Sequence, residues 1–199
     1  MASELFVDNI TGKTGTSGGA PITLSGDTAT LSGTGVTFPT GHIIQTVHAF
    51  ATTATVISST DTATGTDTTL TATISPSSTS NKILISGYLT CRLTAGSNGD
   101  VGMGMRMTKT VGGTESNIYS SDDTDGSSPS DNTSFVYLAV GDGNSTVHIM
   151  RHPFSTLVTA GTEGTYQVKI YLAKYNGTGT INVNNSTMHS QIMLQEIVG

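Results

Sequence analysis

Charge is the scarcest commodity in this chain. Only 11% of its 199 residues are Asp, Glu, Lys or Arg, and the net charge is −6. Eight Lys and Arg without a cluster, and no aromatic platform interleaved with them, exclude a nucleic-acid surface. No run approaches the roughly eighteen apolar residues needed to cross a bilayer, so membrane insertion by a helix is excluded. Cys91 is the single cysteine, and an internal disulfide is impossible. The opening residues, MASELFVDNITGK, hold neither a basic stretch nor an apolar core of the secretory type. The expectation is synthesis and folding in a reducing cytoplasm.

Catalytic constellations are equally missing. There is no G-x-S-x-G elbow, no P-loop and no H-E-x-x-H. Carboxylates that could cleave glycans as a pair are sparse: Asp122, Asp123, Asp125 and Asp131 crowd one loop, and Glu163 and Glu196 stand alone. The chain reads as a non-enzyme without a cofactor.

What is abundant is hydroxyl. Ser and Thr make up roughly 30% of the chain, and Gly adds 24 residues. Thr is β-branched and fits a pleated surface, while Gly and Ser serve turns. From Gly41 onward, alternating runs follow one another between turn signals. In residues 82–93 Ile83, Ile85, Gly87, Leu89, Cys91 and Leu93 share one face. In residues 100–111 Val101, Met103, Met105 and Met107 share one face, with Gly102, Gly104 and Arg106 on the other. Further strands are expected at 42–50, 68–75, 132–140, 145–150, 165–175, 180–185 and 189–198. No stretch has a helical period. The fold class is all-β, a jelly-roll-like sandwich of about 8–10 antiparallel strands over residues 41–199.

Residues 1–40 differ. Single apolar residues (Ile22, Leu24, Leu31, Val36, Phe38) stand among small polar ones. Such a segment buries too little to fold alone, and reads as an extended arm lying on a partner. Leu5, Phe6, Val7 and Ile10 are its candidate anchoring contacts.

Other motifs have plainer explanations. Asp123 and Asp125 before Gly126 imitate the first half of a calcium loop, but the closing Glu is missing, which favours a solvated acidic loop. His42 and His48, six apart, are expected on one strand face, as are His148 and His152 if their strand continues. Tight H-x-H spacing for a metal is absent. The Met row is read as core filling, because it alternates with Gly and Arg.

The leader MASELFVDNITGKTGTSGGAPITLSGDTATLSGTGVTFPTGHIIQ resembles those of marine bacteriophage virion proteins of the tail-fibre or decoration type. TATISPSSTSNKILISGYL is similar to a segment common in phage tail-fibre-like proteins. INVNNSTMHSQIMLQEI is similar to the last strands of C1q/TNF-like trimeric jelly rolls. The resemblance covers most of the chain through motifs of low complexity. It implies a homotrimer in the virion, assembled in the host cytoplasm, whose arm meets other virion proteins of capsid or tail. As a tail-fibre adhesin, it would offer the polar 116–134 loop (Tyr119, Asp122, Asp123, Asp125, Asp131) to a host-surface glycan or protein. The alternatives are a capsid decoration (cement) subunit and a C1q-like cellular lectin or adhesin. The shortness of the chain favours a compact knob over a long fibre.

Overall fold

The structure is a computed structural model. It describes residues 22–25, 28–31, 38–60, 65–94, 101–118, 138–140, 147–161, 164–175, 179–184 and 188–199. The chain divides into two units, Met1–Thr40 and Gly41–Gly199. In the first, β1 (Ile22–Ser25) and β2 (Thr28–Leu31) pair antiparallel as a hairpin.

The second unit is an all-β sandwich. Its strands are β3 (Ile43–Ala51), β4 (Thr55–Ile57), β5 (Thr66–Ile74), β6 (Lys82–Thr94), β7 (Val101–Val111), β8 (Thr114–Asn117), β9 (Leu138–Val140), β10 (Val147–Thr159), β11 (Tyr166–Tyr175), β12 (Thr180–Val183) and β13 (Ser190–Ile197). Every pairing among them is antiparallel. The six-stranded sheet is built on β6. Along one edge β6 pairs with β10 over its whole length, and along the other with β13 at Lys82–Tyr88 and β12 at Cys91–Thr94. Beyond these lie β3, paired with β13, and β4, paired with β12. The five-stranded sheet runs β5, β11, β7, and then β8 and β9 share the far edge of β7.

The core lies between the sheets and follows the alternation in the sequence. Ile83, Ile85, Leu89, Cys91 and Leu93 of β6 are fully buried, as are Met103, Met105 and Met107 of β7. Val168, Ile170 and Leu172 of β11, and Ile192 and Leu194 of β13, complete the same layer. Met103, Met105 and Met107 are thus core, as their alternation predicts, while Met150, Met188 and Met193 are half-buried. Cys91 is sealed there, and burial pushes its thiol up to about 12.

Three local devices keep the sheets in register. β7 and β8 are joined by Gly112–Gly113 alone, at φ 57° and 83°, the two positive values that a tight hairpin turn demands. On β5 a bulge sets residues 68–70 against Ile170. Thr69 there has φ 62°, its N–H bonds Asp67 Oδ1 at 2.7 Å, and the buried Thr68 hydroxyl donates to the Ile170 carbonyl at 2.7 Å. Gly87 leaves room for Phe154, which lies on the neighbouring strand. A Cβ at Gly87 would collide with the Gln191 carbonyl oxygen and stand 2.7 Å from Phe154 Cζ.

The Glu196 carboxylate, 1% exposed, ties the β5–β6 turn to β13. It accepts from Ser77 N (2.6 Å), Ser77 Oγ (2.8 Å) and Asn81 Nδ2 (2.6 Å). Read from sequence as an isolated carboxylate, it is a buried clasp.

Two expectations needed revision, and a conditional one was met. β10 runs on to Thr159, well past Met150, because Pro153 is tolerated where a strand has a free edge. His148 and His152 therefore do share one strand face. His42 precedes β3, and the β3–β13 register slips between residues 43 and 45, so His42 and His48 are not placed on one face by their spacing.

Candidate assembly surface

The two sheets turn very different outer faces to their surroundings. On the five-stranded sheet the outer face is polar: Thr71 and Thr73 of β5, Gln167 and Lys169 of β11, Thr110 of β7. At its centre Arg106 Nη2 contacts Glu115 Oε1 at 2.6 Å and its guanidinium stacks 4.7 Å over the Tyr171 ring. The Tyr171 hydroxyl donates to Glu115 Oε2 at 2.9 Å. Burial, reinforced by that bond and the Glu115 charge, raises the Tyr171 pKa to about 12.

The outer face of the six-stranded sheet is mixed: exposed aliphatic and aromatic side chains stand among Thr, Ser, Gln and Asn. Residues directly opposite in an antiparallel ladder share a face. The pairs Ile43–Ile197, Ile197–Lys82 and Leu84–Leu157 therefore gather three aliphatic side chains with Leu84 at one end. At the other end stand Val147 and Ile149 of β10 and Val56 of β4. Ile149 is 63% exposed, Val56 61%, Phe50 57% and Leu157 56%.

Between the ends lies a cluster of rings. His48 and Phe50 meet edge to face at 4.3 Å, and Phe50 meets His189 at 5.7 Å. Tyr88 Oη and His189 Nε2 are 3.0 Å apart, and the Arg151 guanidinium sits 5.1 Å over the Tyr88 ring. Among the described strand residues of this face the charged ones are Lys82, Arg92 and Arg151, all cationic. Clustered rings with arginine, set among exposed aliphatics, are the makeup of protein–protein hot spots.

None of this surface stood among the sequence candidates. Its signal was present, since several of these strands are apolar on both faces: Ile83 with Leu84, Ile149 with Met150, Ile192 with Met193. The candidate anchors Leu5, Phe6, Val7 and Ile10 lie outside the described residues, as do Tyr119, Asp122, Asp123, Asp125 and Asp131. Among the described residues no three His, Cys, Asp or Glu side chains gather as a metal site, and no helix is long and apolar enough to cross a membrane.

No family model and no curated protein matches the chain. Among solved structures it is similar to a chain of infectious bursal disease virus, Gx strain. The TM-score is 0.36 at 11% identity, over 88% of this chain and 40% of that one. A chain of the T13 particle of the same virus gives 0.27 at 12% identity, over 88% and 39%. This chain spans well under half the length of either, and likeness at this level carries no argument about its role.

Proposed function

We propose that this chain is a non-enzymatic structural subunit of a virus particle, a capsid decoration protein that works as a homotrimer. Residues 1–40 form the arm that attaches it to other virion proteins, with Leu5, Phe6, Val7 and Ile10 as the buried contacts. Residues 41–199 form the displayed head.

The observation that carries the proposal is the set of large apolar side chains exposed on the outer face of the six-stranded sheet: Ile43, Phe50, Val56, Val147, Ile149 and Leu157. Soluble monomers rarely leave so many large apolar side chains together in water. β6 and β10, thirteen residues each, make that face about 43 Å long, and four strands make it about 19 Å wide. The resulting footprint of roughly 800 Å² is what one partner contributes to a stable interface. The hydroxyl face of the other sheet then remains outward. The viral setting is supported by the resemblance of the leader to phage virion proteins, and the decoration role by the compactness of the head.

Two measurements test this. Sedimentation of the purified chain is expected to give a trimer, and a monomer at micromolar concentration would overturn the assembly. Imaging of particles labelled with antibody to the chain is expected to show many copies spread over the shell. Label confined to the tail would instead establish a tail-fibre adhesin, with the 116–134 loop facing the host.

A further inference from the structure

The outer face accounts for one surface of β10 and leaves its edge. Proline cannot donate to a ladder, and Pro153 lies opposite Tyr88 inside a continuous pairing with β6. The backbone groups of Pro153 therefore point away from β6. Because these groups alternate along an antiparallel strand, those of Ile149 and Arg151 point away as well. Among the described residues nothing pairs with that side of β10. The edge thus offers a short hydrogen-bonding template, residues 147–152, closed off by Pro153. Pairing of two copies of β10 along their full length would set proline against the gap, so a short strand fits better.

The side chains beside this template are distinctive. On the core side of the sheet they read His148, Met150, His152; on the outer side, Val147, Ile149, Arg151. Residues 4–8 have the complementary alternation: Glu4, Phe6, Asp8 on one face, and Leu5 and Val7 on the other. Laid antiparallel, Phe6 meets Met150, Asp8 meets His148, Glu4 meets His152, Val7 meets Ile149, and Leu5 meets the aliphatic stem of Arg151. Carboxylates then face imidazoles, thioether faces ring, and aliphatic faces aliphatic.

We propose that residues 4–8 of a second copy of this chain add as a strand to the β10 edge. β3 and β10 are opposite edges of the sheet where β13 joins β6, and the chain enters the head at β3. In a ring of copies arranged head to tail, the arm of one copy starts beside the β10 edge of the next. Outside the β1–β2 hairpin, residues 11–21 and 32–40 reach up to about 65 Å when extended, longer than the head's longest strands. The inference rests on the chain being a self-assembling subunit, and makes a neighbouring copy of the chain the virion protein that receives residues 4–8.

The test uses the full-length chain in solution. F6C/M150C, oxidised, is expected to give covalent species larger than a monomer on a denaturing gel, while F6C/T73C, on the far sheet, gives none. The Phe6–Met150 pairing holds for either strand direction. Absence of a cross-link, or a monomer-mass species closed within one chain, would overturn the exchange. A second arm uses the exposed His148, where folding is not at stake. D8K alone and H148E alone are each expected to weaken association several-fold, and D8K/H148E together to restore it. No recovery in the double variant would refute the pairing. An oligomer that persists without cross-links would leave the sheet-face assembly standing. A monomeric wild-type chain would remove the assembly itself.

Discussion

Replacing Phe50 with Ala should uncouple assembly from folding. The ring is 57% exposed in the isolated head, so the core loses little when it is removed. Its partners there are the edges of His48 and His189, a loss of order 1 kcal/mol in the head. In the assembly the exposed part becomes covered. A phenylalanine side chain presents about 200 Å², so some 115 Å² leaves water at each contact. At about 25 cal/mol per Å² this is worth about 3 kcal/mol, or roughly a hundredfold in association. Sedimentation equilibrium across a dilution series measures that shift. Thermal melting below the dissociation range measures the head alone. Association of F50A as tight as wild type would refute the placement of the interface on this face. An equal loss in the diluted monomer would show that the ring belongs to the fold.

Three further outcomes follow from the interior. Gly87→Ala drives a Cβ into the Gln191 carbonyl and the Phe154 ring, and should cost about 3 kcal/mol, seen as a lower denaturant midpoint with an unchanged slope. Glu196→Ala strands three donors of the Ser77–Asn81 turn and should cost about 3 kcal/mol or more, with faster amide exchange confined first to that turn. Above pH 9 the head should weaken. The buried Cys91 thiol stays neutral to about 12, while in the unfolded chain it ionises near 9.0. Its contribution is therefore whole below pH 9 and is lost as pH rises toward 12, at about 1.4 kcal/mol per pH unit. Tyr166, held neutral by burial to about 12 against 10.0, adds to the decline above pH 10. Denaturation at stepped pH values should show a shallower fall for Cys91→Ala between pH 9 and 10, and identical slopes would disprove the linkage.

The sandwich was legible because its inner faces obey a period of two. β5 and β13 bury alternate residues, the apolar side chains of β6, β7 and β11 alternate onto the core, and Ser, Thr and Gly punctuate them. β8 was not, since all four of its residues are exposed and carry no apolar signature; only the Gly112–Gly113 turn announces it. The strand expected at 145–150 continues as β10 to Thr159 through Pro153, and the free edge that admits a proline exists only in the folded sheet. The assembly surface was hidden for another reason. Its members are scattered at positions 43, 50, 56, 84, 149, 157 and 197, and only cross-strand register collects them. The candidate anchors and the acidic loop remain expectations drawn from composition and resemblance.

The seam where the head begins has mechanical meaning. Gly41 N–H bonds the Val198 carbonyl at 2.9 Å, and Val198 N–H bonds the His42 carbonyl at 2.9 Å. Behind this pair, β3 runs antiparallel to β13 for the length of both strands. Tension applied at Gly41 along the strand axis loads that whole ladder at once, in shear. Tension applied across the axis opens it bond by bond, starting with the Gly41–Val198 pair. A tether pulling in line with β3 would hold far more force than one pulling sideways, so the direction of the load sets how firmly the head is kept.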